Sequence, residues 1–236
     1  MNKTDRAVSA LLTMIRSGRF SEGDRLPTEP ELVEELGVSR SAVREAVQSL
    51  SFAGVLNVRQ GGGTFVTDLE PARLLRSAGL ALDLSGSDTL AELYAVRRVL
   101  EPAATAMAVA NVTDDDLAEL RACLDTMRSA GAAEEFVQAD IAFHDLIAQI
   151  AGNATLRAIL TTLRTKSGLG LIRRAREDDG AERQTILEHE EILIAMVARD
   201  AELARAATTV HLAKGQHWLD SAQSWPSGRE PLVGPA

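Results

Sequence analysis

A turn followed by a short amphipathic helix, within residues 36–50, constrains the fold of this chain more than any other feature of its sequence. Gly37 can supply the turn, and the hydroxyl of Ser39 can cap the helix by accepting a hydrogen bond from a free backbone amide. Apolar residues then recur at the spacing of one buried helix face, namely Val43, Ala46, Val47 and Leu50. This pattern is typical of the second helix of a helix-turn-helix.

Two arginines on this helix lie one turn apart and off the apolar stripe. The side chains of Arg40 and Arg44 can therefore both point away from the core. Arginines on the first two turns of such a helix can donate to guanine edges or to phosphates in a DNA major groove. We therefore predict that the helix reads DNA, with candidate contacts at Ser39, Arg40, Ser41 and Arg44.

The flanking residues complete the pattern of a winged helix-turn-helix domain over residues 1–68. A first amphipathic helix is predicted from the spacing of Val8, Leu11, Leu12 and Ile15. The run Thr28-Glu29-Pro30-Glu31 has the form of a capping box, which predicts a second short helix. Residues 55–58 and 64–66 have the composition of two short strands, which would form the wing.

A glycine-rich loop joins the two predicted strands. Three consecutive glycines allow a tight hairpin whose tip can approach a sugar-phosphate backbone closely. We predict further DNA contacts at Gln60, Gly61, Gly62 and Gly63. A nucleotide-binding loop is the alternative, but no Gly-Lys-Ser/Thr follows, and the loop precedes a strand rather than a helix.

The chain carries a formal net charge of −9, which by itself argues against nucleic acid as a partner. The local balance differs, because residues 37–66 hold three arginines against the single acidic residue Glu45. Binding to phosphates depends on this local charge, so an acidic protein can still present a basic DNA-reading face. We expect weak non-specific binding and a strong dependence of DNA affinity on salt.

Composition argues against several other classes of protein. No run approaches the roughly 18 apolar residues that a membrane helix needs, so no membrane association is expected. Residues 1–6 continue into an amphipathic segment rather than into the apolar block of a signal peptide. The single cysteine, Cys123, cannot form an intrachain disulfide and is expected to be a small buried side chain. We therefore expect a cytoplasmic protein.

Helical periodicity runs almost unbroken over residues 89–224, with no convincing strand. We predict six or seven helices in an antiparallel bundle, which makes the whole chain mainly α. Residues 69–88, before this domain, are expected to form a linker helix and a hinge. Residues 225–236, which are rich in proline and glycine, are expected to form a flexible tail.

A carboxylate and three imidazoles lie on apolar faces of the predicted C-terminal helices. Asp140 and His144 are one turn apart, and His189 and His211 each share a face with apolar residues. Such groups are costly to bury unless a partner satisfies them, and one divalent ion could satisfy all four. This donor set suits Zn2+ best, and Mn2+, Ni2+ or Fe2+ under looser geometry. A buried, hydrogen-bonded histidine is the alternative at each position.

Four motifs of the N-terminal region resemble those of the GntR family of bacterial transcription regulators: Leu26-Pro27-Thr28-Glu29, Val38-Ser39-Arg40, Val43-Arg44-Glu45-Ala46 and Gly63-Thr64-Phe65-Val66. The resemblance implies that Arg40 and Arg44 contact operator DNA and that the wing glycine enters the minor groove. Many members carry an arginine directly after the Leu-Pro-x-Glu motif, where this chain has Pro30. That contact is not carried over, so operator specificity is expected to be relaxed or shifted.

Three motifs of the C-terminal region resemble the FCD effector domain of FadR-type GntR regulators: Asp140-x-x-Phe143-His144, His189-x-x-Ile192 and Val210-His211-Leu212. The resemblance implies that the Asp and the three His bind a metal that helps to hold a small carboxylate effector. Arg97 and Glu101 lie in a run that resembles the first FCD helix, which implies that Arg97 lines the ligand cavity. A guanidinium can clamp a carboxylate, although a structural salt bridge to Glu101 is the alternative role for Arg97.

These features together predict a homodimeric, ligand-responsive transcription regulator, with repression as the commoner direction in the family. Its two recognition helices would read an inverted repeat in double-stranded DNA. Effector binding is expected to reorient the winged domains through residues 69–88 and so to change DNA affinity. One alternative is a metalloenzyme acting on a small carboxylate, although the sequence has no His-Glu-x-x-His motif. The other is a DNA-binding regulator with a purely structural metal.

Overall fold

The structure, a computed structural model, describes residues 2–83, 88–164 and 180–223. Ten helices and two strands cover these residues, in the order α1 (Lys3–Arg16), α2 (Glu29–Leu36), α3 (Arg40–Phe52), β1 (Leu56–Arg59), β2 (Gly63–Val66), α4 (Pro71–Asp83), α5 (Asp88–Val109), α6 (Asp114–Ser129), α7 (Ala133–Ile150), α8 (154–164), α9 (Ala181–Val197) and α10 (Ala201–Gln223). The predicted mainly α fold is confirmed, with a winged helix-turn-helix followed by a helical domain. Most of the predicted hinge (85–87) and the predicted tail (225–236) lie outside the described residues.

Contacts within the chain divide the described residues into two compact units. The N-terminal unit contains α1 to α4 and both strands, and it also takes in residues 154–162 of α8. The C-terminal unit contains α5, α6, α7, α9 and α10. Each unit has a buried core of its own, as expected for a chain of this length.

The core of the N-terminal unit forms where α3 packs against α1, α2 and β1. The predicted apolar stripe of α3 is buried, with Val43 and Ala46 fully inaccessible to solvent. The helix begins as predicted, because the Ser39 hydroxyl accepts a hydrogen bond from the amide of Ala42 at 3.3 Å. The predicted capping box also forms at α2, where the Glu31 carboxylate accepts a hydrogen bond from the amide of Thr28 at 2.7 Å.

The wing is a two-stranded antiparallel hairpin whose register runs from Leu56 opposite Val66 to Arg59 opposite Gly63. Its turn contains Gly61 and Gly63, which have φ values of +69° and +106°. Both values lie in the region that favours glycine, so the glycine run predicted to make a tight hairpin does so. The inner face of the hairpin packs on the domain core through Leu56 and Val66.

The C-terminal unit is built from helix pairs. α5 packs against α10 and α7, while α6 packs against α7 and α9, and α9 also contacts α10. The side chains of Leu120, Phe143, Ile192, Met196 and Leu212 are fully buried at the centre of these pairs. Such a core holds the inward faces of α7, α9 and α10 in fixed positions.

The burial of Cys123 differs from the expectation based on the sequence. Cys123 is only half-buried rather than buried, because it lies at the edge of the packed face of α6. Partial burial raises the pKa of its thiol, which makes it a poor nucleophile. Among the described residues, no helix combines the length and the apolar character needed to cross a membrane.

Candidate functional site

The exposed face of α3 carries the arginines that the sequence predicts to read DNA. Arg40 and Arg44 both lie on the solvent-exposed side of the helix, and the Arg44 side chain is 63% exposed. The Arg44 guanidinium donates to the carboxylate of Glu29, with 3.1 Å between Nη2 and Oε2. Because the Arg44 side chain is largely in water and that of Glu29 is partly exposed, this ion pair is weak, and a phosphate or a base edge can replace Glu29.

The remaining predicted DNA contacts lie at the start of α3 and on the wing. The hydroxyls of Ser39 and Ser41 are 3.1 Å apart at the first turn of the helix. Gln60 and Gly61 are exposed at the tip of the hairpin, and Gly62 and Gly63 are partly exposed. The structure therefore places all eight predicted contacts on accessible parts of the helix-turn-helix and its wing.

The four predicted metal ligands come together inside the C-terminal unit. Asp140 and His144 lie one turn apart on α7, His189 lies on α9, and His211 lies on α10. One ligand atom from each of the four residues lies within 4.8 Å of the others. Nε2 of His144 and Nε2 of His189 are 2.8 Å apart. Oδ1 of Asp140 lies 3.5 Å from the His189 nitrogen and 3.9 Å from the His144 nitrogen. Residues distant in sequence thus point at one small volume.

Within the described part of the chain, two polar atoms of this cluster are buried and have no hydrogen-bond partner, namely Asp140 Oδ2 and His189 Nδ1. An unsatisfied buried acceptor or donor costs free energy, so a folded protein retains such groups only for a reason. Since His189 is completely buried and Asp140 is 2% exposed, bulk water cannot satisfy them in this conformation. A cation held by the carboxylate and the imidazoles would remove most of this cost.

Burial also sets the protonation of the cluster. It lowers the pKa of His144 and of His189 well below the usual value, and nearby positive charge lowers both further. Neutral imidazoles are the form that binds metal ions. Burial raises the pKa of the Asp140 carboxyl, although the surrounding cations, chiefly Arg164, oppose that change. A bound cation would act in the same direction as Arg164 and keep the carboxyl ionised.

Glu188 contacts the cluster from outside, and the sequence reasoning missed it. Its Oε2 lies 2.9 Å from Nδ1 of His211, so the ring nitrogen that faces the carboxylate is the one that carries a proton. The other nitrogen of His211 is then free to ligate. Metal-binding histidines characteristically donate to a carboxylate in this way. The sequence held no signal for the contact, because Glu188 adjoins His189 on α9 but touches His211 on α10.

A second buried polar group lies beside the cluster and involves Arg97, the predicted effector contact. Its Nε donates to Glu101 at 2.6 Å, and Arg164 also donates to Glu101 from α8. His144 Nδ1 is 3.7 Å from the same carboxylate, which ties this group to the predicted metal ligands. The salt bridge that was the alternative role for Arg97 is therefore present. Sequence reasoning missed Arg164, which no periodic pattern connects with Glu101.

The two arginines nevertheless keep unused hydrogen-bonding capacity. Among residues 2–83, 88–164 and 180–223, no hydrogen-bond partner is found for three buried nitrogens, Nη1 of Arg97 and Nε and Nη1 of Arg164. Burial alone lowers the pKa of a guanidinium, but the Glu101 carboxylate raises that of Arg97 above its usual value. At Arg164 burial outweighs the same carboxylate and lowers the pKa to about 10. Both side chains are therefore cations at neutral pH. The guanidinium of Arg97 also lies over the ring of Tyr94, with its Cζ 4.4 Å from the ring centroid.

The fold and these two sites define a class of protein, in which a DNA-reading winged helix-turn-helix is joined to a helical domain with a buried cluster of potential metal ligands. Residues 3–66 match the family of bacterial regulatory proteins called the gntR family, and residues 92–214 match the FCD domain. The chain therefore belongs to the GntR family of transcription regulators and carries an FCD domain.

Named relatives agree with this assignment. The chain is 31% identical over 205 residues to the HTH-type transcriptional regulator LutR of Bacillus subtilis, covering 84% of this chain and 93% of LutR. It is 28% identical over 223 residues to the galactonate operon transcriptional repressor of Escherichia coli, covering 93% and 97% of the two chains. The solved structure of Streptococcus agalactiae GntR matches with a TM-score of 0.65 and 27% identity over 91% of this chain and 99% of that one. The prediction of a DNA-binding regulator rather than an enzyme is confirmed.

Proposed function

We propose that this protein is a ligand-responsive repressor that acts in the cytoplasm and binds its operator as a homodimer. Its C-terminal domain would hold a divalent metal and a small carboxylate effector. Binding of this effector would lower the affinity of the protein for operator DNA. The observation that carries this proposal is the buried cluster of Asp140, His144, His189 and His211 beside two buried arginines with unused donors. A charged interior of this kind, closed to bulk solvent, is unfavourable unless its polar groups find partners.

The donor set fits one divalent cation. Three imidazoles and one carboxylate supply ligands of the type that Zn2+ prefers, and Ni2+, Mn2+ and Fe2+ accept the same set. Glu188 would orient His211 for this role. When bound, the metal would supply a Lewis acid that can accept an oxygen of the effector as a further ligand.

Charge balance favours an anionic effector. Within the buried group, the cations Arg97 and Arg164 offset the anions Glu101 and Asp140, and the two deeply buried imidazoles stay neutral. A divalent cation would leave this group with a net positive charge, even when the buried Glu188 carboxylate at His211 is counted as a third anion. A carboxylate can reduce that excess by accepting hydrogen bonds from Nη1 of Arg97 and by approaching the metal. A small acid with one or two carboxylates is the chemical class that suits this site.

DNA recognition is assigned to α3 and the wing. We assign Arg40 and Arg44 to operator contacts in the major groove, supported by Ser39 and Ser41 at the start of the helix. The wing tip, residues 60–63, would approach the sugar-phosphate backbone, which its glycines permit. A homodimer would present two such units to an inverted repeat.

Homodimer formation is supported by apolar residues left exposed on the C-terminal unit. Val96, Val99 and Met107 share one face of α5, and Val99 is 72% exposed. α10 packs against α5 and exposes Leu203 and Val210, which lie about two helical turns apart on the same face of α10. Grouped exposed apolar side chains of this kind mark protein-protein contacts. We assign this surface to the second subunit.

The domain limits of the proposal follow the sequence. Residues 1–68 would bind DNA and residues 89–224 would bind metal and effector, with residues 69–88 between them as the connection. α4 lies within this connection. Effector binding changes DNA affinity only if the effector binds one arrangement of the dimer better than the other.

A thermal-shift panel of small carboxylates tests the metal and the effector together. The panel includes galactonate, because one relative represses an operon named for that acid, and short mono- and dicarboxylates. A ligand at a hundred times its Kd stabilises the protein by about 2.7 kcal/mol, which raises the melting temperature by several degrees. We expect a shift with zinc-loaded protein and none after chelation.

The variant His189→Ala serves as the genetic equivalent of chelation, because it removes one of the four ligands. It should contain less metal by elemental analysis and should not respond to the acid that shifts the parent protein. Equal metal content in the variant and the parent would exclude the proposed site. Bound metal with no response to any acid would support the alternative in which the metal is purely structural.

A further inference from the structure

The wing carries a pair of cations that the recognition helix does not explain. We propose that Arg25, which lies before α2 and outside the helix-turn-helix, acts with Arg59 to bind a DNA backbone phosphate beside the wing. This inference rests on the proposed placement of α3 and the wing on DNA. It assigns a function to Arg25, which no sequence motif singled out.

Backbone pairing fixes Arg25 on the wing. The amide of Leu26 donates to the carbonyl of Thr64 at 2.8 Å, and the amide of Val66 donates to the carbonyl of Asp24 at 3.0 Å. Arg25 is thereby bridged to Phe65 in antiparallel fashion, so residues 24–26 extend the hairpin along the free edge of β2. The position of Arg25 is thus set by main-chain hydrogen bonds rather than by a mobile loop.

The same pairing determines which face of the wing Arg25 occupies. Residues that oppose each other in an antiparallel sheet share a face, and neighbours along a strand alternate. Leu26 and Val66 are buried in the domain core, so the alternate residues Arg25 and Phe65 belong to the outer face. The side chain of Arg25 is exposed there.

Gly63 allows the guanidinium of Arg25 to lie directly against the wing backbone. A Cβ atom added to Gly63 would be 2.5 Å from Nε of Arg25 and 3.1 Å from its Cζ and Nη2. No L-residue could occupy that space without displacing Arg25. The glycine therefore has a second role besides its φ of +106°, because it leaves room for a cation at the base of the tip.

Arg59 brings a second guanidinium to the same face from the other strand. It is the register partner of Gly63, so the glycine lies between Arg59 on β1 and Arg25 on the edge segment. The Arg59 guanidinium lies over the ring of Phe65, with its Cζ 4.5 Å from the ring centroid, which restricts its motion. Two cations thus flank the glycine on the exposed face of the wing.

Neither guanidinium of this pair is within ion-pair distance of a carboxylate in the described part of the N-terminal unit. The pKa of Glu31 is lowered chiefly by hydrogen bonds from Thr28 and also by the charge of Arg25, so the charge of Arg25 is offset only from a distance. Two fixed like charges favour binding of an anion between or beside them. Next to a hairpin tip that approaches DNA, the anion available is a backbone phosphate, which guanidinium groups bind with two hydrogen bonds.

The test measures DNA affinity as a function of salt by fluorescence anisotropy. The probes are a duplex that the parent protein recovers from a random-sequence library and a scrambled duplex of the same composition. Arg25→Gln should weaken binding to both duplexes by up to about tenfold and reduce the slope of log K against log salt by about one. Arg25→Lys keeps the charge and should keep the slope. Arg121→Gln, which removes an exposed arginine from the C-terminal unit, is the control and should change neither quantity.

Two results would overturn the inference. An unchanged salt slope for Arg25→Gln excludes a phosphate contact, and a loss confined to the selected duplex indicates base reading instead. An unchanged melting temperature shows that the wing is still folded. Arg44→Ala tests the placement of α3 on DNA independently of Arg25. If Arg44→Ala abolishes binding while Arg25→Gln does not affect it, only the proposed phosphate contact of Arg25 is wrong. If Arg44→Ala has no effect, the proposed placement of α3 on DNA is itself wrong.

Discussion

At the residue scale, Glu188 is the side chain whose contacts best explain how another residue is positioned. One carboxylate oxygen contacts Nδ1 of His211, while the other accepts from Gln184 at 3.0 Å and from Lys214 at 3.1 Å. Burial alone raises the pKa of Glu188, but the hydrogen bonds, first that of His211, bring it below the usual value. The group is therefore an anion that holds the His211 ring in one orientation and one tautomer.

Replacing Glu188 by glutamine should weaken metal binding without disturbing the fold. Glu188→Gln keeps the shape of the side chain but removes the charge that fixes the His211 tautomer. We expect metal affinity to fall by about 10- to 100-fold, measured by competition with a chromogenic chelator. Glu190→Gln is the matched control, because Glu190 lies on the same helix but pairs with Arg128 at the surface. Equal affinity in the two variants would mean that Glu188 has no positioning role.

The same residues show how far the sequence could predict the site. Periodicity places each of the four cluster residues on an apolar helix face, where a polar group needs a partner, and the resemblance to the FCD domain groups them as the ligands of one metal. Glu188 and Arg164 were not found, because their partners lie on other helices and no spacing along one helix reports such a contact. Contacts of this kind depend on how helices pack, which a single sequence does not specify.

At the scale of elements, the backbone of the recognition helix is predictable from the sequence, but the ion pair on its exposed face is not. Its start was predictable from the Ser39 cap and its buried face from the apolar stripe. The ion pair between Arg44 and Glu29 was not predictable, because it connects α3 to the first turn of α2. If Arg44 contacts the operator as proposed, binding exchanges Glu29 for DNA at its guanidinium, which costs little for a pair that is accessible to solvent.

Arg44→Ala should abolish specific operator binding and leave the fold intact. A bidentate arginine contact to a base contributes about 1–3 kcal/mol of discrimination, so affinity for the selected duplex should fall by about 5- to 150-fold. Glu29→Gln is the informative partner variant, because it frees Arg44 and removes a negative charge from the DNA-facing side. We expect it to bind DNA as well as the parent protein or better. Anisotropy titrations measure both affinities, and unchanged binding by Arg44→Ala would contradict the assignment of α3.

The wing shows where prediction of elements from sequence stops. β1 begins at Leu56 rather than at residue 55, because the amide of Val55 donates to the carbonyl of Leu50 and closes the end of α3. Residues 24–26 pair with β2 although no motif in the sequence marks them as a strand. Short edge segments are defined by the strand that they join, so their own sequence carries little signal.

At the scale of the whole molecule, the chain is acidic on average, but exposed arginines are grouped on its winged domain. The net charge of −9 belongs to a protein whose winged domain exposes Arg25, Arg40, Arg44 and Arg59 on its DNA-binding elements. A negative remainder lowers non-specific attraction to DNA, and the local cations keep the specific contact. The operator affinity of the protein should therefore depend steeply on salt, although its overall charge is that of an acidic protein.

The exposed apolar surface of α5 and α10 is the proposed contact with the second subunit, and a charge placed there should disrupt the dimer. Val99 is 72% exposed on α5, so a charged residue there should not disturb folding, but it would introduce an unpaired charge into the proposed dimer interface. Val99→Asp should therefore sediment as a monomer at concentrations where the parent protein is a dimer. It should also lose most of its affinity for an inverted repeat, because one winged domain reads only half of the site. Leu187→Asp is the control, since Leu187 is 50% exposed on α9, a helix that contributes no residue to the assigned surface. A Val99→Asp protein that remains dimeric, with an unchanged melting temperature, would show that the subunits meet elsewhere.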